Sequence, residues 1–205
     1  IRDLTCDWSS DVCSSDLSVN GLKSFNYFIC VSEYIKKLLV DENLKGSKYV
    51  INNGIDVNTI ECSKTREEIR YNYGISTDEF VFIMIARMHP VKNHFSLIEA
   101  FSKLRKDTDK VKLVLVGDGI LETKLKTRVK ELNIEKDVVF TGCREDSNDF
   151  LQASDISILT SISEGGCPPL VVLESGALKK PIICSPVGDL DKIINSTNGY
   201  LVDPG

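Results

Sequence analysis

Two carboxylates and two cations stand on or beside short loops where their side chains could meet a ligand. The run Ser163-Glu164-Gly165-Gly166-Cys167-Pro168-Pro169 leads straight into Leu170-Val171-Val172-Leu173-Glu174. Paired glycines let backbone come close to a ligand, and proline at a first helical turn starts a helix cleanly. The exposed amides and positive dipole end of a helix beginning near Leu170 make an anion site. Glu164 before that helix and Glu174 one turn inside it cannot hold phosphate, but both can accept hydrogen bonds from sugar hydroxyls. The same letters also describe an ordinary strand–loop–helix with a dipole-stabilising acid. Earlier in the chain, Arg87 closes an apolar run and Lys92 follows after Met88-His89-Pro90-Val91. Two cations on one strand-end loop can bind phosphate oxygens and stabilise a departing diphosphate without a metal. A solvated basic loop is the plainer alternative.

Other motifs carry less. Gly117-Asp118-Gly119 is followed by Ile-Leu-Glu, so it fails as a GxGxxG dinucleotide fingerprint and reads as a tight strand–helix turn. Asp107-Thr108-Asp109 and Asp189-Leu190-Asp191 both spell DxD. The first falls on the wrong end of a strand, and the second reads as a helix cap with a first-turn acid. His89 and His94 have no Cys or carboxylate at ligand spacing. Cys167 beside a helix start lacks a base. No metal and no cofactor are expected.

The elements that must position these groups follow from periodicity. Short β-branched runs alternate with amphipathic stretches. Strands are predicted at 25–31, 48–51, 80–86, 111–116, 138–140, 156–159, 181–184 and 200–202, and helices at 33–39, 64–73, 94–104, 120–132, 146–152, 170–178 and 189–194. The Asn52-Asn53-Gly54 run predicts a tight turn with positive φ. Strands separated by helices imply βαβ units and a doubly wound, Rossmann-like parallel α/β sheet, whose ligands bind outside the carboxyl ends of the strands. The candidate loops all fall there.

Composition narrows the class. The 205 residues carry 25 Lys+Arg against 30 Asp+Glu, a net charge of −5, which argues against a nucleic-acid partner. No apolar run reaches the roughly 18 residues of a membrane span. Seven cysteines stand at 6, 13, 30, 62, 143, 167 and 184, with neither zinc spacing nor a disulfide framework, so a reducing, cytoplasmic compartment is expected. Residues 7–17 resemble the in-frame translation of a sequencing adapter. With four Ser, three Asp and no apolar period, the segment has no reason to form an element, so residues 1–17 are set aside from fold reasoning as a disordered artefact.

Taken in order, the remaining motifs resemble the donor-binding half of a GT-B glycosyltransferase of the family 4, or group 1, type. They are Val50-Ile51-Asn52-Asn53-Gly54-Ile55-Asp56, Ala86-Arg87-Met88 with Lys92, Val116-Gly117-Asp118-Gly119, Val139-Phe140-Thr141-Gly142, Ser163-Glu164-Gly165, Leu173-Glu174, Pro181-Ile182-Ile183 and Asn198-Gly199-Tyr200-Leu201-Val202. The resemblance implies that Arg87 and Lys92 contact the donor diphosphate and that Glu174 binds the ribose. It implies that Glu164 and the Gly166–Cys167 backbone face the transferred sugar, with main chain near Cys143 and Arg144 reading the base. Gly54 marks the hinge, and Arg87, Lys92 and Glu164 are the residues implied to carry catalysis. One departure stands out: the glutamates are spaced E-x9-E, where the family has E-x7-E.

The implied division is 18–53 as a remnant of an N-terminal acceptor domain with its hinge, and 54–205 as the nucleotide-sugar domain, truncated at its C-terminus. The implied activity is a retaining, metal-independent transfer from a nucleotide-sugar, most simply a UDP-sugar, to a polysaccharide or lipid-linked acceptor. The fragment alone would be inactive, and the missing domain could carry peripheral association with the inner membrane face. A UDP-sugar 2-epimerase and a non-catalytic nucleotide-binding module are the alternatives.

Overall fold

The computed structural model describes residues 19–164 and 167–203. The adapter-like segment and Gly166 lie outside that range.

After a short helix α1 (Val19–Leu22), β1 (Tyr27–Cys30), α2 (Glu33–Asp41) and β2 (Ser47–Val50) form a small unit with the two strands parallel. Ser32 caps α2 by accepting the amide of Ile35 at 3.1 Å. Phe28, Cys30 and Leu44 are its buried core. A single 3-10 turn at Val57–Thr59 leads to α3 (Arg66–Asn72), which opens on a capping box between Thr65 and Glu68.

The main sheet follows: β3 (Phe80–Ile85), α4 (His94–Asp107), β4 (Val111–Val116), α5 (Glu122–Glu131), β5 (Val138–Gly142), α6 (Ser147–Ala153), β6 (Ile156–Leu159), α7 (Leu170–Ala177), β7 (Ile182–Cys184) and β8 (Gly199–Leu201). Its six strands are all parallel in the order β5-β4-β3-β6-β7-β8. The expected doubly wound α/β sheet is therefore present. Its strands are apolar on both sides because both faces are covered. Val111, Leu113 and Leu115 of β4 pack with Leu97, Phe101 and Leu125 of α4 and α5, whereas Val114 and Val116 pack on the other side with Ile69, Phe150 and Leu151 of α3 and α6.

Two local expectations fail. Residues 189–194 form only a 3-10 turn at Leu190–Lys192, because the Asp189 carboxylate expected to cap a helix instead accepts the amide of Glu33 at 2.7 Å. Gly54 has no positive φ, and a methyl group there would meet open space. The polar run serves as a latch: Asn52 and Asn53 donate side-chain amides to the carbonyls of Cys167 and Pro168 at 3.2 and 3.0 Å.

Candidate functional site

The strand order reverses at β3: the chain passes to β4 on one side and returns to β6 on the other. In a doubly wound sheet this is where the connecting loops part to leave a ligand crevice. The loops leaving β3 and β6 carry Arg87, Lys92 and Glu164. They are stitched together through backbone: Thr160 Oγ1 donates to the carbonyl of Lys92 at 3.0 Å, and the amide of Ile162 donates to the carbonyl of Val91 at 2.8 Å.

Lys92 closes a 3-10 turn that starts at Pro90, and Asn93, at φ 54, turns the chain into α4. The turn aims the ammonium across the crevice. Lys92 Nζ lies 2.6 Å from Glu164 Oε1, and both side chains are about nine-tenths buried. Despite the longer E-x9-E spacing, Glu164 thus stands against Lys92. Arg87 stands half-buried two residues past the end of β3.

Beyond that loop, α7 begins at Leu170 with Pro169 at its cap and no side chain capping it. Among the described residues nothing accepts from the amides of Leu170 and Val171. The start of α7 therefore offers donors and a positive dipole end. One turn in, Glu174 is half-buried, its carboxylate makes no hydrogen bond or ion pair with described residues, and burial pushes its pKa up. A desolvated acceptor without a partner suits ligand hydroxyls.

Other candidate residues make contacts within the fold. The Cys167 side chain is buried in the β6–β7–α7 core, its thiol raised by burial, and its Sγ accepts the amide of Asp189 at 3.2 Å. Its carbonyl takes the Asn53 amide at 3.2 Å. Arg144 grips Asp146 through two 2.7 Å bonds and lies over the Phe150 ring, with Cys143 exposed beside it. Gly117 and Gly119 pack directly on the β3–α4 loop. A Cβ on Gly117 would sit 2.3 Å from the Ala86 carbonyl oxygen, and one on Gly119 would sit 2.6 Å from that of Met88.

Two features escaped the sequence reading. His94, set aside there, is buried behind Lys92 with Nδ1 unpartnered, and its pKa is pushed down to about 4. The Asn52–Asn53 latch was visible only as a turn signal. Among the described residues no cluster of His, Cys, Asp and Glu is placed to hold a metal ion, and no helix is long and apolar enough to cross a membrane.

The family model described as "Glycosyl transferases group 1" matches residues 65–205. The chain belongs to the group 1 glycosyl transferases. Relatives of this group 1 member include the alpha-monoglucosyldiacylglycerol synthase of Streptococcus pneumoniae, 35% identical over 76% of this chain and 36% of the relative. Another is the UDP-Gal:alpha-D-GlcNAc-diphosphoundecaprenol alpha-1,3-galactosyltransferase of Escherichia coli, 32% identical over 82% of this chain and 44% of the relative. The chain therefore spans less than half the length of either. In fold, this glycosyl transferase chain superposes on the crystal structure of Anabaena HepE in complex with UDP with a TM-score of 0.80 at 23% identity, covering 95% of this chain and 56% of the other.

Proposed function

We propose that residues 54–205 are the donor-binding part of a retaining, metal-independent glycosyltransferase that moves a sugar from a UDP-sugar to a polysaccharide or lipid-linked acceptor, with 18–53 leading to its acceptor side. The observation that carries this reading is the buried Lys92–Glu164 pair, set in the crevice where the strand order reverses. A cation and a carboxylate held side by side there match the two halves of a nucleotide-sugar, its diphosphate and its hydroxyls. One relative is named as a synthase of a glucosylated diacylglycerol and the other as a galactosyltransferase from UDP-Gal to a diphosphoundecaprenol-linked sugar, which supports the same class.

In this scheme Arg87, Lys92 and the amides at Leu170 and Val171 hold the diphosphate. Glu174 takes the ribose hydroxyls and Glu164 those of the sugar. The bond between the anomeric carbon and the distal phosphate oxygen breaks, and its electron pair leaves on UDP. The acceptor hydroxyl attacks from the same face and passes its proton to that oxygen. The cations stabilise the charge developing there.

Thermal melting of the chain with millimolar UDP tests the donor site. The expected result is a rise in melting temperature that persists in EDTA, and no rise from a folded sample overturns it. Turnover by the full-length protein with retained anomeric configuration, followed by proton NMR, tests the transfer.

A further inference from the structure

Lys92 is already neutralised before any ligand arrives. Its ammonium and the Glu164 carboxylate are 2.6 Å apart and largely shut off from solvent. A diphosphate reaching Lys92 brings negative charge beside that carboxylate. Like charges a few ångströms apart in a poorly solvated crevice repel strongly. The three ammonium hydrogens could bond both anions, but one positive charge would then face a carboxylate and a diphosphate together. The pair is also unnecessary for joining the two loops, since Thr160 and Ile162 bind the backbone of Lys92 and Val91 directly. Lys92 can change partners without parting them.

We infer that Glu164 is the site's internal competitor for Lys92. It weakens the hold on a bare nucleoside diphosphate and is compensated when the ligand carries hydroxyls that the displaced carboxylate accepts. Spent UDP, which has none beyond the ribose, is therefore released more readily than the donor. This inference rests on the donor-site reading and adds to it a specificity role for Glu164. A residue that only contacted sugar would leave the affinity for UDP unchanged when neutralised. A competitor predicts a gain.

The test is calorimetric titration of the full chain with UDP, comparing wild type with Glu164→Gln. The variant removes the carboxylate that faces the Lys92 ammonium, so UDP should bind at least about tenfold more tightly. The double variant Lys92→Met/Glu164→Gln should lose that gain. Unchanged or weaker UDP binding by Glu164→Gln, with a cooperative melt like the wild type's, overturns the inference. Should that variant fail to fold, Glu164→Asp, one methylene shorter, should still show a smaller gain, and its absence is equally fatal. UDP binding by the wild type without a gain in the variants defeats this inference alone. Failure of every variant and the wild type to bind UDP defeats the donor site as well.

Discussion

The Asp189 carboxylate accepts the backbone amide of Glu33 at 2.7 Å, joining the first turn of α2 to the turn after β7 across 156 residues. Burial raises the pKa of this acid, but Lys192, 2.9 Å away, and the Glu33 amide outweigh it and hold the carboxyl below its ordinary value. The contact anchors the small unit to the turn after β7 of the large sheet and places a negative charge at a helix start. Asp189→Ala should cost about 1–2 kcal/mol of stability. Amide exchange across α2 should quicken while β3 and β4 stay protected. An α2 that exchanges at the wild-type rate would show that its anchorage lies elsewhere.

Gly117 and Gly54 should respond very differently to the same substitution. Gly117 has φ +131, and an added Cβ would meet the Ala86 carbonyl oxygen at 2.3 Å, backbone against backbone. Neither side can give way without moving the loop that carries Arg87. Gly117→Ala should therefore lose roughly 2–3 kcal/mol or more. Gly54→Ala, with nothing within 4 Å, should stay within about 0.5 kcal/mol. Urea denaturation midpoints decide between the two.

Periodicity was a sound guide where one element was covered on both faces. The apolar run at 80–86 was expected to be a strand covered on both faces, and β3 falls within it, while β4 and β6 fall on the residues predicted for them. It failed where a side chain had a distant partner. Asp189 reads locally as a helix cap, yet Glu33 takes its carboxylate. Asn52-Asn53-Gly54 reads as a tight turn, yet the Asn amides reach the loop before α7. The candidate site was legible only as residue types on strand-end loops, which a parallel sheet gathers at one edge. The pairing of Lys92 with Glu164 across 72 residues was not, since the two extra residues of the E-x9-E spacing left the reach of Glu164 open.

Glu174 should separate binding from stability. Its carboxyl is desolvated without a described partner, which raises its pKa. Between the ordinary glutamate value and that raised one, the folded chain keeps a proton the unfolded chain gives up. Stability therefore falls as pH rises through this window, and the penalty is complete above it. Glu174→Gln removes the charge, so the variant should melt higher than wild type at pH 7 to 8. Its affinity for UDP should drop roughly tenfold through loss of a charged acceptor for the ribose. A variant that melts lower would mean the carboxylate has a stabilising partner in the folded chain.

His94 should give the protein an acid-sensitive step of its own. Burial pushes the imidazole from 6.5 to about 4, the adjacent Lys92 charge adds to the effect, and a hydrogen bond to the Ala86 carbonyl opposes it. Between these values the unfolded chain takes up a proton that the folded chain refuses. Stability is thus complete above pH 6.5 and is lost as pH falls toward 4. The gap corresponds to roughly 3 kcal/mol. Denaturant unfolding at pH 7 and pH 4 should show that His94→Asn loses about 3 kcal/mol less than wild type over the same interval. The subtraction removes the shared titration of the carboxylates. Equal losses in the two proteins would mean that the imidazole does not titrate differently on unfolding, and that its burial behind Lys92 has no pH signature.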